Sequence, residues 1–542
     1  MLSVSTLKLE HPLCHALAVT TLLLLPVAIQ LTRRSTSSST ESDVADNRTD
    51  SEPERQAAAR LPWTLPLLHN TLQVLLAGSD IHGWITKNCK QFEGRPFMVK
   101  VVGLPEMLVI STPEAFEDVL KHQFMNFSKG LHQKENIKDL LGNGIFAVDG
   151  VKWAHQRDIA RGLFRMHELR ECMTDAITRH TIALHDVLKQ VCIQNRSVDL
   201  HKLLSCFSTE AFTDISFGAT LNCLRNNKEL PFQAAFDRAQ RLTAQRFVRP
   251  RWFWKMQKRM GVGSEDQLQL DIKEIDATIL STVQQVLANR AISPEDGRSN
   301  NTSMLSLYLD TIEKAPNVDE QLYDPVYLRD VVVNFLVAGR DTTAQALTWF
   351  FYNVSQNPCV EAKLRREIYN NLPEIMNSEC CVPSLPQVNK LVYLEAVVKE
   401  TLRLYPSMPI SPKYAVRDTI LSDGTFVPAG TMVCLPLYAM GRMTHVWGPD
   451  AAEFKPERWI DPVKKKIISV SAFKFVAFNA GPRMCLGTSL VGLELKLVAA
   501  ALLSRFHIHV ENPEAVGYGF SLTLPVKGPM NVRLARVSAG FA

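Results

Sequence analysis

FNAGPRMCLG, residues 478–487, forms a loop built around one thiol, that of Cys485. Gly481 and Pro482 turn the backbone, and Gly487 permits the close approach of a flat group. A leucine-rich helix is predicted to follow, so Cys485 precedes a helix N-terminus. Backbone N–H groups and the helix dipole favour a thiolate over a thiol at such a position. A thiolate held in this way can ligate iron.

The same loop resembles the haem-binding signature of the cytochrome P450 family, because it fills every fixed position of that signature. Those positions are Phe478, Gly481, Arg483, Cys485 and Gly487. The resemblance implies that Cys485 is the axial ligand of the iron in haem b, and that Phe478, Arg483 and Gly487 help to bind the cofactor. It also implies the family's fold, which is mainly α with small β-sheets (α+β), in a single large haem domain.

Upstream, AGRDTT at residues 338–343 places a polar cluster in the middle of an apolar helix predicted over 328–354. A mid-helix threonine can bond back to the carbonyl four residues earlier and loosen the helix, while Ala338 and Gly339 leave room for a ligand. The resemblance implies that Asp341 and Thr342 are the catalytic acid and alcohol that deliver protons to bound dioxygen.

A second helix, predicted over 391–404, carries Glu400 and Arg403 three residues apart and therefore on one face. About fifty residues later, PERW contributes Arg458. By resemblance these residues form the family's Glu-Arg-Arg network, to which we assign a structural role. The network is expected to lock the segment that leads to the cysteine loop.

Trp153 and Arg157 are spaced i, i+4, so they point the same way on a helix. The resemblance implies that they meet a haem propionate, with Arg483 and Lys413 as further partners. Lys413 stands where many relatives carry Arg or His, and lysine cannot form the bidentate fork of a guanidinium.

The composition is that of a globular protein, with 46% hydrophobic and 21% charged residues in a chain of 542. Lys and Arg are scattered and the net charge is only +5, which argues against a nucleic-acid-binding protein. The eleven cysteines include no CxxC pair, which argues against structural zinc and disulfide frameworks. Helical periodicity dominates, and β-branched runs at 98–102, 107–110 and 431–435 predict short strands.

The N-terminal region predicts a membrane anchor ahead of the catalytic domain. Residues 13–31 are almost uncharged and long enough to cross a hydrocarbon core of about 30 Å. Arg33 and Arg34 follow the apolar run, which favours a single-pass protein of the endoplasmic reticulum membrane with its catalytic domain in the cytosol. A cleaved signal peptide is the alternative. The predicted parts are a luminal segment (1–12), a transmembrane anchor (13–32), a flexible polar linker (33–60) and the catalytic domain (61–542).

The substrate is predicted from a finer resemblance, to the branch of the family that hydroxylates fatty acids and alkanes at the terminal carbon. The stretches that carry it are 142–146, 338–344, 441–443 with 447–448, and 478–483. They imply ω-hydroxylation of a fatty acid or related acyl chain with one oxygen atom of O2. Candidate pocket residues, each equally consistent with a place in the core, are Phe124, Phe127, Leu336, Ala338, Thr343, Met408, Ile410, Leu522 and Thr523.

Other functions of a haem-thiolate protein stay open at this point. They are the rearrangement or dehydration of lipid hydroperoxides, the hydroxylation of sterols or terpenoids, and haem-based sensing without turnover. Asp341 and Thr342 argue against hydroperoxide chemistry, because relatives with that chemistry usually lose the pair. The resemblance further implies that electrons come from NADPH through a separate flavoprotein reductase in the same membrane, with cytochrome b5 as a second partner.

Overall fold

The computed structural model describes residues 56–219, 221–226, 230–292, 303–313, 324–377 and 382–537. The predicted anchor and nearly all of the predicted linker lie outside these residues. Within them, no helix is both long enough and apolar enough to span a bilayer. The proposed division into an anchor, a linker and a catalytic domain therefore stays a prediction.

Helices form most of the described chain, in agreement with the predicted mainly α class. The α-helices are α1 (Thr71–Ala77), α2 (Ile81–Gln91), α3 (Pro113–Glu117), α4 (Gly130–Leu141), α5 (Gly150–Leu163), α6 (His167–Ile193), α7 (Leu200–Phe217), α8 (Cys223–Asn226), α9 (Pro231–Gln245), α10 (Arg251–Met260), α11 (Gly263–Ile292), α12 (Met304–Glu313), α13 (Pro325–Leu336), α14 (Thr342–Gln356), α15 (Pro358–Asn371), α16 (Pro373–Asn377), α17 (Leu385–Val388), α18 (Val392–Leu404), α19 (Leu437–Met440), α20 (Thr444–Trp447) and α21 (Thr488–Leu503). Short 3-10 turns at Pro456–Trp459, Val476–Phe478 and Gly481–Arg483 lead to the cysteine loop.

The strands form small sheets beside the helices. They are β1 (Ala59–Arg60), β2 (Phe97–Val99), β3 (Met107–Val109), β4 (Phe127–Ser128), β5 (Val198–Asp199), β6 (Ser411–Ala415), β7 (Thr419–Ile420), β8 (Phe426–Val427), β9 (Met432–Leu435), β10 (Phe506–Val510) and β11 (Asn531–Arg536). A six-stranded sheet has the order β1-β2-β3-β9-β6-β4, a three-stranded sheet the order β10-β11-β5, and β7 pairs with β8. All three predicted strands are present, but β2 ends earlier than predicted, since Lys100 N donates to Asn70 Oδ1 at 2.9 Å and Val102 N to the Thr71 hydroxyl at 3.0 Å.

The long apolar helix predicted over 328–354 is present as α13 and α14, joined by a π-helical turn at Val337–Asp341. Asp324 caps its start by accepting from Val326 N, and Pro325 occupies the first turn. Thr342 Oγ1 donates to Ala338 O at 2.5 Å, which is the predicted back-bond. The backbone is loosened at this point, as expected for a hydroxyl that competes with the helical ladder.

A large apolar core surrounds α13 and α14 and draws on α6, α7, α18 and α21. Trp349 is 2% exposed, stacks on Tyr405 with ring centroids 4.1 Å apart, and donates its indole N–H to Leu524 O at 2.9 Å. Burial of an aromatic side chain with its polar atom paired is strongly stabilising. This packing fixes the central helix against the C-terminal segment and so holds one wall of the cavity described below.

Candidate active site

The cysteine loop is held by a close approach of backbone to backbone. Gly481 has φ 65°, and a Cβ there would lie 2.0 Å from Leu120 O, so only glycine fits. Cys485 N donates to Phe478 O at 2.9 Å, and the Thr488 hydroxyl donates to Cys485 O at 3.1 Å. Cys485 therefore lies directly before α21, as the sequence predicts, and its thiol faces a cavity.

The protonation of Cys485 differs from the prediction. Burial raises the pKa of its thiol, and this outweighs the backbone N–H of Gly487, the hydroxyl and N–H of Thr488, and the charge of Arg157, all of which lower the pKa. The expected donors are thus in place, but the loss of solvation on burial raises the pKa of the thiol by more than these donors lower it. A bound metal ion favours the deprotonated form of a cysteine ligand.

A cavity of about 480 Å³ lies beside Cys485 and has a mostly apolar lining. It brings together many residues that the sequence singles out. The predicted site residues that line the cavity are Trp153, Arg157, Ala338, Thr342, Thr343, Met408, Ile410, Phe478, Arg483, Cys485, Gly487 and Leu522. One continuous space therefore joins the candidate iron ligand, the candidate alcohol and most of the candidate substrate pocket.

Several predicted pocket residues do not line this cavity. Phe127 on β4 is buried in a smaller hydrophobic cluster, with 3% of its surface exposed. Leu336 at the end of α13 is buried in the main core, with 1% of its surface exposed. The Phe124 ring packs on Trp153 with centroids 5.5 Å apart, and the Thr523 hydroxyl accepts from Gln345 at 2.7 Å. These assignments are corrected, because each side chain already has a protein partner.

The interpretation of Gly339 also changes. A Cβ at this position would lie 1.9 Å from the ring of Phe212 in α7, so the glycine is required mainly for helix packing rather than for a ligand. Gly487 differs, because a Cβ there would meet only Val491 and the Cys485 sulfur, at 3.7 and 3.9 Å. Among the described residues, no atom therefore crowds Gly487, as the approach of a flat group requires.

A cluster of cations lies at one side of the cavity. Arg483 donates to Asp149 Oδ1 at 2.6 Å, and its guanidinium lies 4.4 Å from the centre of the Trp153 ring. Arg157 donates to Met484 O, while its Nε is buried and has no partner among the described residues. Lys413 is 1% exposed, and its side-chain ammonium makes no hydrogen bond or ion pair in the described part of the chain. Lys413 does not border the cavity itself, whereas both arginines do.

Lys129 belongs to the same cluster and was missed by the sequence reasoning. Antiparallel pairing of β4 with β6 brings Ser128 opposite Tyr414, so Lys129 and Lys413 are neighbours. Burial lowers the pKa of Lys129 to about 8, with a further contribution from Arg483. Burial and then Lys129 also hold the pKa of Lys413 well below its usual value. No local motif marks Lys129, since only the long-range strand pairing places it there.

These features fit the haem that the resemblance implies. Buried and half-buried cations that repel one another and share mainly Asp149 as a counter-ion are suited to bind an anionic group with more than one negative charge. The apolar cavity suits a flat apolar body, and the Cys485 thiol borders it. Haem combines these properties, with two propionates, a macrocycle and an iron that accepts a thiolate.

The predicted acid and alcohol face different surroundings. Thr342 lines the cavity, whereas Asp341, which is 6% exposed, turns toward α9. Asp341 Oδ2 accepts from Gln240 at 3.0 Å, and Oδ1 lies 3.0 Å from Arg340, which also pairs with Asp237 at 2.6 Å. Burial raises the pKa of Asp341 to about 7, against the opposing charge of Arg340. The carboxyl can therefore exist with or without its proton near neutral pH.

A buried carboxyl on α21 is a second residue that the sequence reasoning missed. Glu494 lines the cavity and accepts from the Thr343 hydroxyl at 3.5 Å. Burial raises its pKa to about 8. A charged residue inside the apolar run of α21 is the signal that could have identified it.

The predicted Glu-Arg-Arg network is present, and its three residues lie outside the cavity lining. Glu400 is 0% exposed and accepts from Arg403 at 2.7 and 2.8 Å and from Arg458 at 2.9 Å. It also accepts from the Trp459 indole at 2.9 Å and from Lys455 N at 2.8 Å, which the sequence did not indicate. Arg403 in turn donates to the carbonyls of Gly441, Ala451 and Glu453.

Comparison with known proteins agrees with this geometry. A family model described as Cytochrome P450 matches residues 60–526. Cytochrome P450 704C1 of Pinus taeda is 37% identical over 428 residues, which are 76% of this chain and 81% of that protein. Cytochrome P450 704B1 of Arabidopsis thaliana is 33% identical over 88% of this chain and 95% of its own length. The heme domain of cytochrome P450DA superposes with a TM-score of 0.74 at 19% identity, over 90% of this chain and 99% of that one.

Proposed function

Because the chain belongs to the cytochrome P450 family of monooxygenases, we propose that it inserts one oxygen atom of O2 at or near the terminal carbon of a fatty acid or related acyl chain. The observation that carries the proposal is the continuous apolar cavity that joins Cys485 and Thr342 to the walls formed by α1, α2, β2 and β3. The resemblance of several stretches to the ω-hydroxylase branch supports the same substrate class.

Haem, when held by Cys485 and the cations Lys129, Arg157, Lys413 and Arg483, supplies the redox chemistry that activates dioxygen. The chain's own residues have other tasks. The apolar walls orient an alkyl chain and exclude water. The Thr342 hydroxyl borders the reaction space and can hold a proton donor in place. Asp341, which precedes Thr342 in the chain and faces α9, can take up and release a proton.

We propose that the electrons come from NADPH through a separate flavoprotein reductase, with cytochrome b5 as a further donor. Exposed residues beside the cysteine loop support a docking face, since Met484 is 44% and Val151 86% exposed. We also propose the endoplasmic reticulum membrane as the location, with the catalytic domain in the cytosol. That proposal rests on the apolar run 13–31 and the two arginines that follow it.

The proposed substrate class is tested with haem-loaded protein, a flavoprotein reductase and NADPH. The substrates are a series of saturated fatty acids, matched alkanes, a sterol and a lipid hydroperoxide, and the products are identified by mass spectrometry. We expect NADPH-dependent consumption of the fatty acids, with hydroxyl groups at or beside the terminal carbon. Turnover of the hydroperoxide without NADPH, or of the sterol alone, would instead support the corresponding alternative function.

The pH dependence of turnover tests the role of Asp341. Its raised pKa means that it carries a proton below about pH 7 and loses it above, so product formation should decline as the pH rises through that value. Asp341→Asn should abolish this decline with pH and lower product formation by on the order of a hundredfold. The measurement is product formed per NADPH consumed across the pH range.

A matched control for Asp341 is Asp271→Asn. Asp271 is also buried, at 2% exposed, but it pairs with Arg238 at 2.7 Å and does not border the cavity. Its replacement should leave the shape of the pH profile unchanged. If Asp341→Asn retained the wild-type profile and coupling, proton delivery through Asp341 would be excluded.

A further inference from the structure

His82 on α2 is a buried histidine whose ring has no hydrogen-bond partner. The side chain is 4% exposed, and neither Nδ1 nor Nε2 meets a donor or acceptor among the described residues. The same residue lines the cavity. Buried polar groups are almost always paired, and leaving one unpaired costs free energy. Two unpaired ring nitrogens at the wall of a cavity therefore indicate a partner that occupies the cavity.

Neither aromatic neighbour of His82 forms a hydrogen bond with its ring nitrogens. Its ring packs against Tyr518 and Tyr438, with centroids 5.1 and 5.8 Å away. The Tyr518 hydroxyl is already engaged, since it donates to Asp80 Oδ1 at 2.5 Å and accepts from Gly83 N at 3.1 Å. The aromatic faces fix the imidazole plane without saturating its nitrogens. The ring is thus held in position while both polar atoms stay available.

The imidazole is neutral at physiological pH. Burial, opposed by the charge of Asp80 and assisted by that of Arg442, lowers the pKa of His82 to about 4. The other titratable groups that face the ring are Tyr438 and Tyr518. A neutral imidazole presents one N–H donor and one acceptor nitrogen. This pair matches a group with an O–H and a second lone-pair site, such as an alcohol or a carboxylic acid.

The cavity wall around His82 is otherwise apolar. Its neighbours in the lining include Val74, Ile81, Trp84 and Ile85 from α1 and α2, and the segment between β2 and β3 adds further aliphatic side chains. A polar side chain among apolar neighbours is the arrangement that fixes the orientation of a ligand with one polar end. An alkane would leave both nitrogens unpaired.

We propose that His82 binds the polar end group, a hydroxyl or a carboxylic acid, of a chain-shaped lipid whose apolar part occupies the cavity. This inference rests on the proposed acyl substrate and adds to it a residue that selects the end group. The imidazole N–H donates to an oxygen of the ligand, and the other ring nitrogen accepts from its O–H. Holding one end of the chain in this way limits which carbons can reach the space beside Cys485.

The test compares three ligands of equal chain length, a fatty acid, the corresponding alcohol and the corresponding alkane. Dissociation constants for haem-loaded full-length protein are measured by calorimetry and by the substrate-induced change in the visible spectrum. In His82→Leu we expect about tenfold weaker binding of the acid, the alcohol or both, and unchanged or tighter binding of the alkane. His82→Gln keeps a donor and an acceptor and should recover part of the affinity.

The matched control is His185→Leu. His185 is similarly buried, at 5% exposed, but its Nδ1 lies 3.5 Å from Asp186 Oδ1 and its ring packs on Phe506 away from the cavity lining. Its replacement should leave all three dissociation constants unchanged. The pH dependence of binding identifies the end group. A fatty acid that takes up a proton on binding is bound more weakly as the pH rises, whereas the binding of an alcohol does not change with pH.

Two failures can be told apart. If wild-type protein binds all three ligands and His82→Leu changes none of them, or changes all three equally, the role of His82 is wrong and the acyl substrate stands. If wild-type protein with an intact thiolate spectrum binds none of them, the proposed substrate class fails and the inference about His82 fails with it. A shift of hydroxylation toward inner carbons in His82→Leu would support the orienting role directly.

Discussion

Cys485→Ser is expected to abolish the thiolate signature of the reduced, carbon-monoxide-bound protein together with all hydroxylation. The Cys485 sulfur borders the cavity beside the cation cluster, and a serine hydroxyl at the same place is a far weaker ligand for iron. Wild-type protein should show a Soret band shifted far to the red in the difference spectrum, and the variant should not. Haem content, measured in parallel, separates the loss of the ligand from the loss of the cofactor.

The control is Cys359→Ser, which removes an exposed free cysteine at the start of α15 and outside the cavity lining. It should retain the wild-type spectrum and turnover. A histidine-like spectrum in wild-type protein would contradict thiolate ligation. So would a red-shifted band that persists in Cys485→Ser.

Local sequence predicts the parts of the site whose geometry is itself local. The cysteine loop is an example, because Gly481 turns the backbone with a positive φ and α21 begins at Thr488, directly after Gly487. The pairing of Glu400 with Arg403 is another, since i, i+3 residues share a helix face whatever the tertiary fold. The Thr342 back-bond follows from the same reasoning, because it joins residues one turn apart.

Features that depend on contacts between distant segments could not be predicted. Lys129 joins Lys413 only through the pairing of β4 with β6. Phe212 fills the space beside Gly339 from another helix, so the small residue has a packing role that its own neighbours do not indicate. His82 is unremarkable in sequence and becomes informative only once its nitrogens are found unpaired at a cavity wall.

The pocket assignments show why side-chain direction limits such predictions. Leu336 and Ala338 lie two residues apart near the π-helical turn, yet Ala338 lines the cavity and Leu336 is buried in the core. Positions two apart on a helix are separated by about 200° of rotation, so these two side chains face nearly opposite directions and cannot both line one wall.

Glu400→Gln is expected to lower the free energy of unfolding strongly and to reduce the haem content of the protein. The carboxylate compensates the buried charges of Arg403 and Arg458 and also accepts from Trp459 and from Lys455 N. An amide is nearly the same size, but it leaves Arg403 without a counter-charge and Arg458 with Asp450 alone, 3.1 Å away. Breaking a buried ion pair by removing one partner destabilises a protein by about 3–5 kcal/mol. The measurement is the free energy of unfolding in denaturant, with haem content determined on the same samples.

Glu395→Gln on the same helix is the matched control, because it tests the loss of a carboxylate without the loss of a buried network. Glu395 lies 3.9 Å from Lys399 and 3.6 Å from Lys496, and its side chain is 36% exposed. Partly exposed pairs of this kind contribute about 0–1 kcal/mol, so stability and haem content should change little. If Glu400→Gln were no less stable than Glu395→Gln, the network would not hold the segment that leads to Cys485. The donors around Glu400 argue for the opposite result, because they come from α18, from Lys455 N and from the turn at Pro456–Trp459, and its carboxylate joins all of them.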